Sequence, residues 1–244
     1  MLLEKILQSQ GFGSRKYCQQ LIKNGSVLIE NQVYDNPKQN LNTDDLNFTV
    51  FGEPYHVFNQ EYQYREQVYI ALNKPQGYEC SHQATHHQSV FSLLPEILIQ
   101  RGVQCVGRLD QDTTGLILLT DDGQYLQALT HPRKHVPKVY HVTTVDPISQ
   151  EQVSKLGQGV ELHQEKGSFA ATDIELLVEN RLSMTIHQGV YHQVKRMLAA
   201  VGNRVESLHR HKIGLLELPN LQEGEWIYLS PLQKQQSQNI SLQE

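Results

Sequence analysis

The sequence predicts an α+β protein with two domains. With 244 residues, 39% of them apolar, the chain is long enough to build two hydrophobic cores. Apolar residues recur at helical spacing at the start of the chain and again within residues 191–201. Between these stretches most apolar runs are short or alternate with polar residues, which is typical of strands. Helices and strands are therefore expected in the same chain.

Charge and cysteine content limit the class of protein. The net charge of -5 excludes a uniformly cationic nucleic-acid binder, so a basic surface must be local, as at residues 131–141 and 189–214. Three cysteines without a C-x-x-C pair favour neither a disulfide framework nor a zinc knuckle, and they fit a reducing compartment. No apolar run is long enough to cross a membrane, and no leader is recognisable. A cytoplasmic monomer is expected.

Residues 1–58 are predicted to form a small separate domain. Two short amphipathic helices come first, the second capped by Ser14, and a hairpin that turns at Glu30-Asn31 follows. This pattern resembles the S4 RNA-binding domain, on the strength of Ser14-Arg15-Lys16, Leu21-Ile22, Gly25 and Val27-x-Ile29. The resemblance implies that RNA phosphates are bound by Arg15, Lys16 and Lys23. A two-helix dimerisation module is the alternative.

Residues 59–67 are polar and lack an apolar stripe, so they are predicted to link the first domain to a second one at 68–232. The second domain begins with the strand Val68–Leu72. The turn-rich stretch Asn73–Tyr78 follows it. The next loop is predicted to be mobile and polar rather than a metal site, because no common zinc pattern has the spacing of Cys80, His82, His86 and His87.

The stretch around Asp110 is the strongest candidate for a catalytic loop. Residues 106–115 are rich in polar and turn-forming side chains and run directly into the apolar segment Leu116–Leu119. If the backbone is extended here, Arg108 and Asp110 leave the same face and bring a guanidinium and a carboxylate into one cleft. Taken alone, the pattern also fits a capped turn or the aspartyl nucleophile loop of a Mg-dependent phosphohydrolase.

A longer string is more specific. Gly107-Arg108-Leu109-Asp110, with Thr114–Thr120 and Asp122-Gly123 after it, resembles the catalytic motif of RNA pseudouridine synthases. Three other stretches resemble further motifs of that family: Asn73–Tyr78, Lys138-Val139-Tyr140 and Tyr191–Met197. Within the family, Asp112-Thr113-Thr114 and the Lys138 motif resemble the branch that modifies small-subunit ribosomal RNA.

The resemblance implies a core with a mixed, largely antiparallel sheet, flanked by helices and crossed by a cleft. It implies isomerisation of uridine to pseudouridine within RNA, with no cofactor and no metal. Asp110 would be the catalytic carboxylate, Tyr140 would pack against the target base, and Lys195 would pair with Asp110. The residues of this domain expected to bind RNA are Arg108, Lys74, Lys138, Arg196 and Arg210.

The expected substrate is 16S ribosomal RNA, free or within a pre-ribosomal particle. A 23S target and a non-catalytic S4 assembly factor are the alternatives. Residues 233–244, rich in Gln and Ser, are predicted to be a flexible tail. The remaining predicted elements are helices at Gln124–Thr130, 149–157 and Tyr191–Val201, and strands at Lys138–Thr143, Ala171–Val178, Leu182–Ile186, Val205–Ile213 and Trp226–Leu229.

Overall fold

The computed structural model describes residues 1–51 and 60–238, which form two compact units. The N-terminal unit comprises Met1–Val68 together with Leu94–Val103, and the larger unit comprises Tyr69–Leu93 and the chain from Gln104 onward. The predicted second domain at 68–232 does not separate the segment Leu94–Val103, which clusters with the N-terminal unit. The predicted limits at residues 58 and 59 lie outside the described residues.

The N-terminal unit combines helices with a sheet of strand order β2-β1-β3-β4. Its helices are α1 (Leu3–Ser9), α2 (Arg15–Lys23) and α3 (Glu96–Gln100), and its strands are β1 (Val27–Ile29), β2 (Gln32–Val33), β3 (Asn47–Val50) and β4 (Gln60–Gln63). As predicted, the Ser14 hydroxyl caps α2 by accepting from the Tyr17 amide, at 3.3 Å. Glu30 and Asn31 both have positive φ, which is what a tight hairpin turn requires.

Two features of this unit differ from the prediction. Gln60–Gln63, expected to be linker, is a strand paired with β3, because the ring of Tyr62 packs against Phe12 with centroids 4.9 Å apart. Helix α3 was missed altogether. Arg101, which follows it, donates to the side-chain oxygen of Gln10 at 2.9 Å and to the carbonyl of Arg65 at 3.0 Å. Partners so distant along the chain leave no local sequence pattern.

The larger unit is built on one nine-stranded sheet with the order β13-β14-β10-β15-β9-β5-β17, to which β16 is added on β15 and β8 on β9. Among the described strands of this sheet, only the β15–β9 pairing is parallel, so the predicted mixed, largely antiparallel sheet is confirmed. The larger unit also has two separate two-stranded sheets, β6-β7 and β11-β12. The strands of the unit are β5 (Tyr69–Lys74), β6 (Tyr78–Glu79), β7 (Gln88–Ser89), β8 (Gln104–Cys105), β9 (Thr113–Thr120), β10 (Lys138–Thr144), β11 (Val160–Glu161), β12 (Ser168–Phe169), β13 (Thr172–Val178), β14 (Arg181–Ile186), β15 (Val205–Ile213), β16 (Leu216–Glu217) and β17 (Trp226–Tyr228).

Helices flank this sheet, and the starts of α4 and α5 follow the predicted caps. They are α4 (Gly123–Thr130), α5 (Gln150–Gln158), α6 (Gln193–Ala200) and α7 (Pro231–Gln238), with short 3-10 turns at Val90–Leu93 and Pro132–Lys134. Asp122 caps α4 by accepting from the amides of Gln124 and Tyr125, and Ser149 and Gln152 form the predicted capping box of α5. The sequence was sufficient to predict these caps, because a capping side chain contacts backbone groups within one helical turn.

The C-terminal stretch is not a flexible tail over its described part. Residues Pro231–Gln238 form α7, whose Ser237 is buried and lies 2.6 Å from the Tyr125 hydroxyl. The Lys234 ammonium lies over the Tyr69 ring, 3.7 Å from its centroid. These contacts order a segment whose polar composition suggested disorder. Residues 239–244 lie outside the described part of the chain.

Candidate active site

A cavity of about 680 Å³ opens in the larger unit beside the Asp110 loop. Its walls come from the loop that precedes β9, from the facing strands β10 and β15, and from the segment that leads into α6. The predicted site residues that line it are Arg108, Asp110, Lys138, Tyr140, Lys195 and Arg210. The structure thus gathers most of the predicted site residues of this unit around one cavity.

The loop that carries Asp110 is fixed at its junction with the sheet. The amide of Thr113 donates to the carbonyl of Asp110 at 3.1 Å, which closes a tight turn. Gly115 has a φ of 100°, and a Cβ built there would lie 2.3 Å from the carbonyl oxygen of Arg210. Only glycine therefore lets β9 approach β15 this closely at the end of the loop.

Lys195 is placed against Asp110, as expected. Its Nζ lies 3.0 Å from Oδ2 of Asp110 and 2.6 Å from Oδ1 of Asp112. The rotation of α6 is fixed by the buried side chains of Val194, Met197 and Leu198. That anchoring holds Lys195, at the rim of the apolar face, towards the two carboxylates.

Lys195 and Asp112 stabilise each other's ionised forms. Burial raises the pKa of Asp112, but the hydrogen bond and the charge of Lys195 outweigh burial and leave this pKa below its usual value. Burial lowers the pKa of Lys195, but its hydrogen bonds to Asp112 and Asp110 outweigh burial and leave that pKa above its usual value. An ammonium that bridges two carboxylates therefore stays charged at neutral pH.

His192 is a site residue that the sequence did not single out. Its Nε2 lies 3.3 Å from Oδ1 of Asp110, the oxygen that Lys195 leaves unoccupied. The backbone of His192 has a φ of 51°, unusual for a residue other than glycine, and this conformation turns the chain into α6. The ring stacks on Tyr191 with centroids 3.7 Å apart. The signal in the sequence that could have identified His192 is its position in the Tyr191–Met197 motif.

Tyr140, Lys138 and Arg210 form a buried wall of the cavity. Tyr140 and Arg210 are neighbours across β10 and β15, with Nη1 of the arginine 3.5 Å from the tyrosine hydroxyl. Burial, reinforced by the charge of Arg210, lowers the pKa of Lys138 to about 8. An aromatic ring thus stands beside two cationic groups in a cleft that also contains the Asp110 carboxylate.

Comparison with known proteins agrees with this arrangement. A family model described as RNA pseudouridylate synthase matches residues 68–200. The chain belongs to this family. The model of the S4 domain matches residues 1–47, which confirms the predicted resemblance of the N-terminal region to that domain.

Several relatives of the synthase match over nearly its whole length. The Vibrio vulnificus protein named ribosomal small subunit pseudouridine synthase A is 37% identical over 238 residues, covering 94% of this chain and 96% of the relative. The protein of the same name from Escherichia coli K12 is 37% identical and covers 93% of this chain and 95% of the relative. A crystal structure of a pseudouridylate synthase superposes with a TM-score of 0.66 at 31% identity, covering 97% of this chain and 99% of that one.

Two residues predicted to bind RNA are engaged within the synthase instead. Arg210 is 2% exposed, and its Nε donates to the carbonyl of Leu116 at 2.8 Å, so the guanidinium does not reach a surface phosphate. Arg196 donates to Glu165 at 3.1 Å and to the carbonyl of His163. The sequence gives no sign of these partners, and binding of substrate or RNA by either side chain stays a prediction.

Lys74, a third residue of the predicted RNA-binding set, lies inside the protein. It is fully buried, and its Nζ donates to the carbonyls of Pro75, Gln111 and Thr113 at 3.0, 3.3 and 2.8 Å. Burial lowers the pKa of Lys74, although neighbouring anions oppose this. The three carbonyls belong to the turn after β5 and to the catalytic loop, so Lys74 ties the loop to the sheet.

Replacing Lys74 with Met is expected to destabilise the synthase by about 3 kcal/mol, because three carbonyls lose a charged donor inside the protein. Urea unfolding measures this loss, with the exposed Lys134→Met as the matched control, for which less than about 0.5 kcal/mol is expected. If the two variants unfold at the same urea concentration, the loop does not depend on the buried ammonium.

In the N-terminal unit, the predicted RNA-binding cations differ in their surroundings. Lys16 and Lys23 are exposed on α2. Arg15 is paired with the buried carboxylate of Glu4 at 2.5 Å, and Gln19 donates to the other oxygen of that carboxylate. Arg15 therefore joins α1 to α2, which leaves the two lysines as the stronger candidates for phosphate contact.

The polar loop after β6 is organised by a carboxylate. Glu79 accepts from the backbone amides of Thr85, His86 and His87 at 3.0 to 3.3 Å, which holds the histidines on a compact turn. Within residues 1–51 and 60–238, no group of three or more His, Cys, Asp or Glu side chains is arranged to hold a metal ion. In the same ranges, no helix is long and apolar enough to span a membrane.

Proposed function

We propose that this synthase isomerises one uridine of 16S ribosomal RNA to pseudouridine, acting as a cytoplasmic monomer on the free RNA or on a pre-ribosomal particle. The observation that carries the choice of RNA is the match, over more than nine-tenths of both chains, to relatives named for the small ribosomal subunit. The S4 domain supports it, because an appended RNA-binding domain suits a large folded RNA.

The cavity suits the chemistry of this reaction. The N1–C1′ bond of uridine breaks, the base turns, and a C5–C1′ bond forms while the C5 proton leaves and N1 takes up a proton. Asp110 would either attack carbon or remove a proton from the ribose, and both routes require an ionised carboxylate. The ammonium of Lys195 lies 3.0 Å from Oδ2 of this carboxylate. No other group needs to be supplied.

The target base must leave its stack to reach Asp110, at a cost of a few kcal/mol. Tyr140, whose ring lies in the cavity wall, offers a surface for the extruded base, since stacking on an aromatic side chain stabilises by about 1–3 kcal/mol. Arg108 is exposed at the mouth of the same cavity, where it would occupy the space that the base vacates. Lys138 lies deeper, beside Tyr140.

The reaction is tested by tritium release from uridine-5-tritiated 16S and 23S transcripts, and from small subunits assembled with the labelled 16S RNA. One equivalent of tritium released from the 16S RNA or its particle is expected, with none from 23S RNA. In a deletion strain, carbodiimide-induced reverse-transcription stops should disappear at one 16S position and return with the wild-type gene. Disappearance of a stop in 23S RNA alone would contradict the proposed target.

Neutralising Lys16 and Lys23 together to Gln is expected to weaken RNA binding and to reduce the slope of log affinity against log salt by up to about 1.5 units, as two lost phosphate contacts require. Filter binding at several salt concentrations measures the slope. Lys155→Gln, an exposed lysine on α5, is the matched control and should leave the slope unchanged. An unaltered slope in the double variant would mean that α2 does not contact phosphates.

A further inference from the structure

His192 stands at the start of α6 without performing the usual task of a residue in that position. It is the N-cap of the helix, where Ser, Thr, Asp or Asn normally accept a hydrogen bond from a backbone amide, yet its side chain makes no capping hydrogen bond. Its backbone has a φ of 51°, a conformation that costs free energy in residues other than glycine and that is frequent at functional sites. The stability of the helix therefore does not account for this histidine.

The ring of His192 is held beside the catalytic carboxylate. Its Nε2 lies 3.3 Å from Oδ1 of Asp110, while Lys195 occupies Oδ2. The ring of the preceding Tyr191 is stacked on the imidazole and limits its rotation. The His192 side chain is 34% exposed, so a proton bound to it can exchange with water. The two oxygens of Asp110 thus have different neighbours, an ammonium at Oδ2 and an imidazole at Oδ1.

The neutral ring fits this position with its hydrogen on Nε2. Because Oδ1 of an ionised Asp110 can only accept, a lone pair on Nε2 would place two acceptors against each other at 3.3 Å. With the hydrogen on Nε2, the imidazole is a donor next to the oxygen that faces the bond to be broken. Enzymes that break glycosidic bonds commonly place a proton donor beside a catalytic carboxylate.

The other ionisable groups at this carboxylate are less suited to transfer a proton. Hydrogen bonds to two carboxylates leave the pKa of Lys195 above its usual value, so its ammonium holds its proton. Asp112 accepts from that ammonium at 2.6 Å, and its pKa is below the usual value. Among the described residues, the ion-pair partners of Asp110 are Lys195 and His192. Since histidine commonly both gives and takes a proton near neutral pH, His192 is the neighbour that suits this role.

We propose that His192 transfers the protons of the isomerisation, donating to the departing base and then accepting the C5 proton. In the first step the N1–C1′ bond breaks, its electron pair stays on N1, and N1 takes the hydrogen of Nε2. In the second step an electron pair of the turned base forms the C5–C1′ bond, the C5 proton moves to the free lone pair of Nε2, and the electron pair of the C5–H bond returns to the base. One proton is given and one is taken, so His192 returns to its starting form.

This role deepens the proposed function and rests on it, and two variants separate proton transfer from mere positioning of Asp110. His192→Gln keeps an N–H donor but does not transfer a proton, and His192→Gly suits the positive φ and leaves space for added imidazole. Turnover, followed as tritium release, is expected to fall at least about a hundredfold in both. In His192→Gln, RNA deuterated at uridine C5 should react more slowly than unlabelled RNA, because loss of the C5 proton has become rate-limiting. Imidazole should raise the turnover of His192→Gly at least about tenfold.

His135→Gly is the matched control. His135 also has a positive φ, of 48°, and also lines the cavity, but within the described residues it is not an ion-pair partner of Asp110. Imidazole should not raise the turnover of this variant. Filter binding of the two His192 variants should show RNA affinity within about threefold of the wild type, because the chemistry and not the binding of RNA is impaired.

Two results would overturn the proposal. One is a turnover of His192→Gln close to that of the wild type. The other is slow turnover of both variants without an isotope effect or rescue by imidazole, which would leave His192 only a structural neighbour of Asp110. Both readouts are taken on whichever ribosomal RNA the wild type modifies. An error in the proposed 16S target is therefore distinguishable, because it would appear as wild-type tritium release from 23S RNA.

Discussion

Asp110→Asn is expected to lower turnover at least about ten-thousandfold, roughly 5.4 kcal/mol of activation free energy. An amide has almost the shape of the carboxylate but neither attacks carbon nor accepts a proton at neutral pH, so both routes open to Asp110 are closed. Single-turnover tritium release from saturating labelled RNA measures the rate. Filter binding should show RNA affinity within about threefold of the wild type, because the charge that the variant loses is not one that holds phosphate.

Asp112→Asn is the sharpest control for this experiment, because Asp112 lies in the same loop and contacts the same ammonium, at 2.6 Å. It is expected to lose less than about tenfold in turnover, since Lys195 remains paired with Asp110. If instead Asp112→Asn were inactive and Asp110→Asn active, Asp112 and not Asp110 would be the catalytic carboxylate. Equal and modest losses in both would reject a single catalytic carboxylate in this loop.

The parts of the fold that depend on local chemistry were predictable. The caps made by Ser14, Asp122 and Ser149 act within one helical turn, and alternation along Lys138–Thr143 is visible over a few residues. The pairing of Lys195 with Asp110, 85 positions apart, was predictable only through resemblance to a family. Neither the periodicity nor the composition of the sequence indicates that these two residues are close in space.

The errors share a physical cause, which is that a side chain's role depends on neighbours that are remote in sequence. Lys74 and Arg210 were expected to bind RNA, yet three backbone carbonyls hold the ammonium of Lys74 and the carbonyl of Leu116 accepts from Nε of Arg210. His192 was missed because its approach to Asp110 depends on a left-handed backbone that its residue type does not predict.

Lys195→Met is expected to lower turnover by at least about a hundredfold, roughly 2.7 kcal/mol of activation free energy, with little change in RNA affinity. The ammonium is 24% exposed and bridges two carboxylates, so its removal leaves like charges facing each other with His192 as the remaining neighbour of Asp110. Lys195 holds the pKa of Asp112 below its usual value against the opposing effect of burial, and that pKa should therefore rise in the variant. The catalytic Asp110 loses the same cation, which lies 3.0 Å from its Oδ2, so the acidic limb of the rate profile should move to higher pH.

The controls for Lys195 come from its own helix and from the cavity mouth. Arg196→Met removes the next cation on α6, which is paired with Glu165 at 3.1 Å and not with Asp110, so it should leave the position of the acidic limb unchanged. Lys195→Arg keeps a cation at this position and should recover part of the lost turnover without moving the limb. If Lys195→Met were nearly fully active while Arg108→Met or Arg196→Met was dead, a different cation would be the partner of Asp110. If none of the three mattered, an ion pair at Asp110 would not be required for catalysis, and the geometry of the loop alone would have to keep the carboxylate reactive.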